Sequence, residues 1–450
     1  MPSYCIIGAG ISGLAHAWQL RLAGHSVTVL ETSPEVGGSI TSYQSDGYLA
    51  EEGPHTLLVQ NKKVNDFLDS IPELLEAALP ANPTAKKRFI LRDGNIVTAP
   101  LGPMDAIKTP LLSTRAKLRL LKEPFIKKQN LPSDESVSDF IRRRLGPEVE
   151  QYAVNPFVGG IYAGDPEQLS LKEAFPKLYH LEQMHGSLLR GALKERKHPD
   201  KNKIPRSILS FQKGMSHLPK AICKALGNTV QTGVTLQNIQ QVEKKWQIKW
   251  LDQNGVLEKT DFDHLLITVP AHRVSAMPFD EAIKERLHPF NKIIHPPVSV
   301  LSLGFKRSSV GHPLDGFGLL IPECENRKVL GALFPSTLFT NRAPQGHVLI
   351  AAFIGGTRQP ELASENTDAV LETALSDLKP LLGLESKPTF VHHKHWTKAI
   401  PQYTLNYGLL KDHFADLSHQ FSGLHFAGNY RSGISVTQCI ESAVDFSTSQ

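Results

Sequence analysis

The chain has 450 residues, 40% hydrophobic and 21% charged, the composition of a folded protein of about two or three domains, which excludes extended disorder. Its 33 glycines follow no three-residue repeat, and its four cysteines (Cys5, Cys223, Cys324, Cys439) are widely spaced. Collagen-like and disulfide-scaffold classes are excluded, no Cys/His metal pattern is present, and a reducing compartment fits best. Net charge is +5, but eleven Lys/Arg against three Asp/Glu give residues 84–130 a charge of +8 and leave the remainder at −3. That window suits an anionic substrate, an anionic membrane surface or plain solvation. With only Phe89 and Phe125 as aromatics it does not suit nucleic acid.

Residues 3–7 read as a short apolar strand that runs into Gly8-Ala9-Gly10-Ile11-Ser12-Gly13. Leu14, Ala15, Trp18, Leu20 and Leu22 then recur as on a helical face, and residues 26–30 form a second strand closed by Glu31. Nothing here resembles a signal or transit peptide, and no stretch reaches the roughly 18 apolar residues that span a bilayer, so a soluble or peripheral protein is expected. Residues 64–79 read as a helix interrupted by Pro72, and 87–98 as a hairpin whose Asp93-Gly94 predicts a type I′ turn. Helices are expected over 111–122, 136–144 and within 161–203, with the polar stretch 194–203 as a surface loop. From Gly214 a helix (218–226), a strand (229–232), a hairpin (246–259) and a buried strand (264–269) follow. Strands are then expected over 298–305, 316–321, 329–334 and 348–354, a helix over 369–382, and a last strand–glycine turn–helix over 424–446.

Gly8-x-Gly10-x-x-Gly13 between a strand and a helix is a dinucleotide-binding fingerprint. The first Gly permits the tight turn, the second lets the backbone approach a pyrophosphate, and the third lets helix and strand pack closely. The phosphate rests on the free N–H groups of the helix N-terminus. Glu31, 18 residues after Gly13, ends the second strand where a carboxylate accepts hydrogen bonds from ribose hydroxyls. Gly37-Gly38 and Ser39 follow at the distance that shifts the reading from NAD to FAD. Glu51-Glu52-Gly53-Pro54-His55-Thr56 is suited to approaching a flat ligand. Adjacent Glu51 and Glu52 are expected to point apart, and His55 by itself reads as an ordinary loop histidine. The C-terminal turn, Gly428-Asn429 to Gly433, precedes a helix whose N-terminus can stabilise negative charge on a reduced flavin.

These blocks, with Pro156–Pro166 and Leu169-Ser170, Asn341-Arg342-Ala343-Pro344, and Ala399-Ile400-Pro401-Gln402-Tyr403, resemble the protoporphyrinogen oxidase family from about residue 3 to 446. The resemblance implies an α/β fold: a Rossmann-like, two-dinucleotide-binding-type FAD domain interleaved along the chain (1–83, 204–275, 411–450). With it come a mixed-sheet substrate domain (276–410) and a helical part (84–203) facing the substrate entrance and a membrane. It implies non-covalent FAD held by Gly8, Ala9, Gly10, Ile11, Ser12, Gly13, Glu31, Thr32, Gly38, Ser39, Gly53, Pro54, His55, Thr56, Val234, Asn429, Ile434, Ser435 and Val436. It implies an apolar substrate slot with Leu320 and Phe339 on the macrocycle and backbone carbonyls at Ala163 and Gly164 toward its pyrrole N–H groups. Val97 stands where plant and animal relatives carry an arginine for a substrate propionate, and Arg92 is the nearby base. No catalytic side chain and no metal are implied. The expected reaction is oxygen-dependent oxidation of protoporphyrinogen IX to protoporphyrin IX in haem biosynthesis. Coproporphyrinogen III oxidation, another amine oxidase or desaturase activity, and a porphyrin-binding protein without turnover are the alternatives. The expected location is the cytoplasm, peripheral to an anionic membrane surface, with a homodimer left open.

Overall fold

The computed structural model describes residues 1–129, 134–197 and 202–449. A five-stranded parallel sheet runs in the order Val230–Gln231, Ser26–Leu30, Ser3–Ile7, His264–Ile267, Leu424–Phe426. Its strands are drawn from the start, middle and end of the chain. One face is covered by the helices Ile11–Leu22, His217–Leu226 and Val436–Thr448, through Ile6, Val29, Leu14, Ile222 and Ile440. The other packs on an antiparallel three-stranded sheet (Thr235–Val242, Lys245–Leu251, Leu257–Phe262) through Ile7, Ile267, Trp246 and Ile248. Burial on both faces is why these strands read as unbroken apolar runs.

A mixed seven-stranded sheet has the order Phe390–Trp396, Val298–Lys306, His347–Gly355, Val329–Leu333, Gly316–Leu320, Lys87–Arg92, Asn95–Thr98. The helix Thr367–Leu382 packs on it through Val370, Ala374 and Leu378. The hairpin at its edge turns with positive φ at both Asp93 (50°) and Gly94 (75°), as a type I′ turn requires. The hairpin therefore belongs to this sheet and not to the helices that follow it.

Those helices (Thr114–Leu121, Val137–Arg144, Asn155–Tyr162, Pro176–His185, Leu188–Lys197) surround a buried ion network. Arg144 lies 3.1 Å from Glu123 and 2.7 Å from Glu182, and Arg143 pairs with Glu135 and Glu182. Among the described residues no helix is long and apolar enough to cross a membrane.

Two local expectations change, and one strand was not expected. The 64–79 helix is interrupted at Pro72 as expected, into Lys62–Asp69 and Pro72–Ala77, but Ala78–Pro80 is a strand. The stretch 194–203 is not one loop: a helix continues to Lys197, residues 198–201 lie outside the described residues, and a strand starts at Lys203. Phe390–Trp396 forms an edge strand although its run of His and Lys hides the alternation.

Candidate active site

The glycine loop divides its tasks among three residues. Gly8 turns with φ 109°, and its N–H donates to the Leu30 carbonyl (2.9 Å). A Cβ on Gly13 would sit 1.9 Å from the Gly8 carbonyl oxygen, so only glycine lets the helix approach the strand. A Cβ on Gly10 would meet no atom within 4 Å, so this glycine guards open space in front of the helix N-terminus. That helix has no side-chain cap and no acidic residue in its first turn, which leaves its donors and positive end available to an anion, with Ile11 and Ser12 in that turn. Glu31 is fixed beside the loop by the N–H groups of Ala9 (2.7 Å) and Ser33 (2.8 Å), with Thr32 exposed between. The Val234 N–H donates to the Glu31 carbonyl (3.1 Å). Gly37 N–H donates to the Ala9 carbonyl (2.9 Å), and a Cβ on Gly38 would touch Gly10 Cα at 3.4 Å, so the second glycine turn closes over the first. Ser39 is exposed beside it.

The segment after the buried strand Tyr48–Glu51 runs along the junction of the two large sheets. Glu51 and Glu52 do point apart. Glu51 faces inward, accepting bonds from Ser42 (2.5 Å) and the Met215 N–H (2.9 Å) with Arg342 at 3.6 Å, and burial pushes its carboxyl up to about 7. Glu52 faces the seven-stranded sheet, at His392 and Lys394. Burial opposes its ionisation, but bonds from Thr41 and His392 and the Lys394 charge outweigh this and hold it below the usual carboxylate range. Trp396 Nε1 donates to the Glu52 carbonyl (2.6 Å), and Gly53 has room for no Cβ, which would lie 1.9 Å from the Ser39 carbonyl. Pro54 and Thr56 flank His55, which is buried with neither ring nitrogen hydrogen-bonded. Burial, then the Arg342 charge, lowers it to about 4, so the imidazole is neutral at pH 7.

His55 meets Phe353 edge-on, and Phe353 lies in the strand His347–Gly355 of the seven-stranded sheet. Leu320, Gly331, Phe353 and Val300 are direct partners across four adjacent strands and share one sheet face. Gly331 has no side chain to fill the gap between Leu320 and Phe353. Gly160 lies over this row: a Cβ there would come within 2.5 Å of Leu320 Cδ2. Ala163, in the left-handed conformation (φ 48°), ends that helix and packs with Val300, Leu330 and Phe353. Its carbonyl accepts the Thr357 N–H (2.8 Å), and Gly164 follows. The structure thus joins Gly53–Thr56, Ala163-Gly164 and Leu320 at one junction.

Phe339 is elsewhere. It is 3% exposed and packs with Ala85, Leu338, Ile208 and Phe317, with the Arg342 guanidinium 5.3 Å from its ring centre. The aromatic of the Leu320 row is Phe353, whose place only the strand register reveals. Arg92 is also committed: it pairs with Glu148 (2.9 Å) over the Tyr152 ring, while Val97 pairs with Ile90 in the edge hairpin. Arg88, over the Phe317 ring, is half-buried, and burial together with the Arg206 charge lowers its pKa.

At the C-terminal turn, Tyr403 clamps both ends: its hydroxyl donates to the Asn429 carbonyl (2.5 Å) and accepts the Gly433 N–H (2.9 Å). Ile434 is half-buried, Ser435 caps the helix from Val436 by a capping box, and that helix has no acidic residue in its first turn. Two cavities, of about 430 and 530 Å³, open elsewhere among carboxylates such as Asp134, Glu173 and Glu150, which repel anions. Among the described residues no three His, Cys, Asp or Glu converge to hold a metal.

Residues 11–447 match the model of the flavin containing amine oxidoreductase family. The chain is also 36% identical to the mitochondrial protoporphyrinogen oxidase of Nicotiana tabacum, over 97% of this chain and 92% of that one. The chain belongs to the flavin-containing amine oxidoreductases, on their protoporphyrinogen oxidase branch. It is 26% identical to the coproporphyrinogen III oxidase of Bacillus subtilis (strain 168), over 97% of this chain and 95% of that one. The fold matches a crystal structure from Exiguobacterium sp. 255-15 assigned as a protoporphyrinogen oxidase, with TM-score 0.79 and 22% identity, covering 100% of this chain and 98% of that one. As a member of this family the chain is a flavin oxidoreductase whose cofactor is FAD. The residues present fit that cofactor: open space at Gly10, an uncapped helix N-terminus, a carboxylate at the end of the second strand, and two orphaned ring nitrogens on His55.

Proposed function

We propose that the protein oxidises protoporphyrinogen IX to protoporphyrin IX, a six-electron dehydrogenation in porphyrin biosynthesis. The observation that carries this is the 36% identity along nearly the whole of both chains, against 26% for the coproporphyrinogen oxidase. Bound FAD would supply the two-electron acceptor for each of three oxidations of the macrocycle, with molecular oxygen as the terminal acceptor, three O2 being reduced to three H2O2. The chain's own part is positioning and exclusion of water. Gly8 to Gly13 and Gly38-Ser39 hold the pyrophosphate, Glu31 and Thr32 the ribose, and Val234 the adenine side. Gly53 to Thr56, Asn429 and Ile434 to Val436 hold the flavin end. Leu320 and Phe353 form the faces of the slot, and Ala163-Gly164 the corner toward the pyrrole nitrogens. Arg88, backed by Arg206 and without Arg92's carboxylate partner, is the base best suited to a propionate.

The aromatic product forms downhill from an activated substrate, and burial that lowers His55 to about 4 makes its imidazole a weak base, which supports a site with no essential general base. We place the protein in the cytoplasm, with its helical part against an anionic membrane. The test is to assay the purified flavoprotein on protoporphyrinogen IX and coproporphyrinogen III, following porphyrin fluorescence and oxygen uptake. A higher kcat/KM on the dicarboxylate supports the proposal. A preference for the tetracarboxylate replaces it with the coproporphyrinogen reading, and no uptake on either removes turnover.

A further inference from the structure

Arg342, in the Asn341-Arg342-Ala343-Pro344 segment, is 1% exposed, and its hydrogen bonds go to neutral groups. The guanidinium donates to the Ser210 hydroxyl (2.7 Å), the Phe211 carbonyl (3.1 Å) and the Thr340 carbonyl (3.4 Å). The facing carboxylate, Glu51, stands 3.6 Å away, outside hydrogen-bond distance, and is 2% exposed. Glu51 gives its acceptor oxygens to the Ser42 hydroxyl and the Met215 N–H instead. Burial lowers the pKa of Arg342, yet a guanidinium stays protonated across the working pH range. A buried charge this loosely paired is costly to a fold.

The segment is fastened to the cofactor side. The Leu49 N–H donates to the Arg342 carbonyl (3.2 Å), and a Cβ on Gly47 would come within 3.1 Å of Pro344. The segment thus packs along the hairpin that ends at Glu51. Four residues further on is His55, and the Arg342 charge adds to burial in keeping that ring neutral. The field of Arg342 therefore reaches the Gly53–Thr56 segment assigned above to the flavin end. Other charges surround the pair at a remove. Glu52 points the other way, to His392 and Lys394. His217 packs on the Phe211 ring, with centroids 5.8 Å apart, and Arg88 lies over the Phe317 ring, which packs with Phe339.

We propose that Arg342 is a positioning residue for the bound flavin, whose buried charge, set against Glu51, raises the flavin's reduction potential. Reduction adds negative charge to the ring system, and a fixed cation in a poorly solvated surround stabilises it. A higher potential favours uptake of electrons from a substrate. The proposal depends on bound FAD and not on which porphyrinogen is oxidised. Glu51 sets how much of the charge is felt: with its carboxyl protonated the pair carries one net positive charge, and with it ionised the pair is neutral. Burial puts that change at about pH 7.

The test is a redox titration of the purified flavoprotein against reference dyes at pH 6 and pH 8, with melting temperature and flavin content measured on the same samples. Glu51→Gln keeps the side-chain shape and an acceptor, and leaves Arg342 uncompensated at both pH values. Its midpoint should match wild type at pH 6 and lie higher at pH 8, by about tenfold in the reduction equilibrium, or ~30 mV for a two-electron couple. Arg342→Met removes the charge, and Glu51 without its cation stays protonated in its buried setting. Its midpoint should match wild type at pH 8 and lie lower at pH 6 by a similar factor. A merely structural role predicts earlier melting or flavin loss in both variants, with midpoints unchanged or shifted equally at the two pH values. Either result overturns the proposal. If Arg342→Met holds no flavin, Glu51→Gln decides alone: a rise confined to pH 8 supports the proposal, and no rise there overturns it. Wild-type protein that cannot be loaded with FAD would remove the cofactor assignment itself, and the proposal with it.

Discussion

The imidazole of His55 meets the ring of Phe353 edge-on, with centroids 5.6 Å apart and planes 74° from each other. This contact joins the segment that follows the FAD-side strand Tyr48–Glu51 to the face of the substrate sheet. An edge-on pair is typically worth about 0.5–1.5 kcal/mol beyond burial. Here it also ties the Gly53–Thr56 segment to the Leu320 row.

Phe353 and Phe339 should therefore separate cleanly on mutation. Phe353 is partly exposed on the Leu320 row, so Phe353→Ala should raise KM or lower kcat/KM while melting temperature and flavin content stay near wild type. Phe339 is core: its replacement by Ala should cost about 3–5 kcal/mol of stability, seen as early melting with flavin loss. Normal melting with impaired turnover in Phe339→Ala would return that ring to the slot.

The glycine loop makes a second pair. Gly10→Val has room in the folded protein, because nothing lies within 4 Å of its Cβ, but the side chain would fill the phosphate space. The variant should fold, with a wild-type circular dichroism spectrum, and purify without the yellow flavin absorbance. Gly13→Val must push apart the first strand and helix, and should give little soluble protein. Full flavin retention in Gly10→Val would show that the phosphate loop is misassigned.

Acid should destabilise the fold. Burial lowers His16, His55, His295 and His425 from 6.5 to about 4. Between these values the unfolded chain takes up protons that the folded chain refuses. Stability is thus complete above pH 6.5 and falls as pH drops toward 4, by about 1.4 kcal/mol per pH unit for each such group. Glu51, raised to about 7, acts in the opposite sense, losing its stabilising contribution as pH rises from 4.5 to 7, and burial raises Glu150 and Glu441 too, but these three carboxylates stand against the four histidines and the more weakly lowered His264, His272, His312 and His393. Urea denaturation between pH 7 and 4.5 reads the slope, and His425→Gln should make it shallower. A flat profile would contradict the buried, neutral state of these rings.

The basic helical surface carries the membrane proposal. Leu118, Leu121 and Phe125 (81% exposed) stand among Lys117, Lys122, Lys127 and Lys128. Co-sedimentation with vesicles of anionic lipid should fall steeply between low and high salt, since each basic residue contributes about 1 kcal/mol at the surface. Phe125→Ser should weaken the salt-resistant remainder. Equal recovery in the supernatant with and without vesicles at low salt would leave this surface simply solvated.

Much of the cofactor half was legible in the sequence because its strands are apolar on both faces and end at glycines. Residues 3–7 and 26–30 and the helix after Gly10 stand where the spacing put them. The hairpin Ser42–Ser45 with Tyr48–Glu51 was missed although Asp46-Gly47 carries the same turn signal as Asp93-Gly94, with φ of 52° and 76°. Phe390–Trp396 was hidden because His392 and Lys394 point at Glu52 and not at water. The substrate side was harder to read because it depends on register: Leu320, Gly331 and Phe353 are far apart in sequence and meet only through cross-strand pairing.

Of the five strands of this sheet, the central Ser3–Ile7 is synthesised before the others, yet the far edge is closed by Leu424–Phe426, the fifth to be made. Until then, His264–Ile267 has an open edge able to pair with another chain. Pairing over 260 residues (Tyr4 with His264) and then over 159 (Leu265 with Leu424) is slow, because loop entropy must be overcome before any pairing rewards it. FAD docking against the C-terminal turn must wait for the same event. A nascent chain stalled before Leu424 should therefore be flavin-free and aggregation-prone, and cellular supply of FAD should govern yield once Leu424–Phe426 has paired.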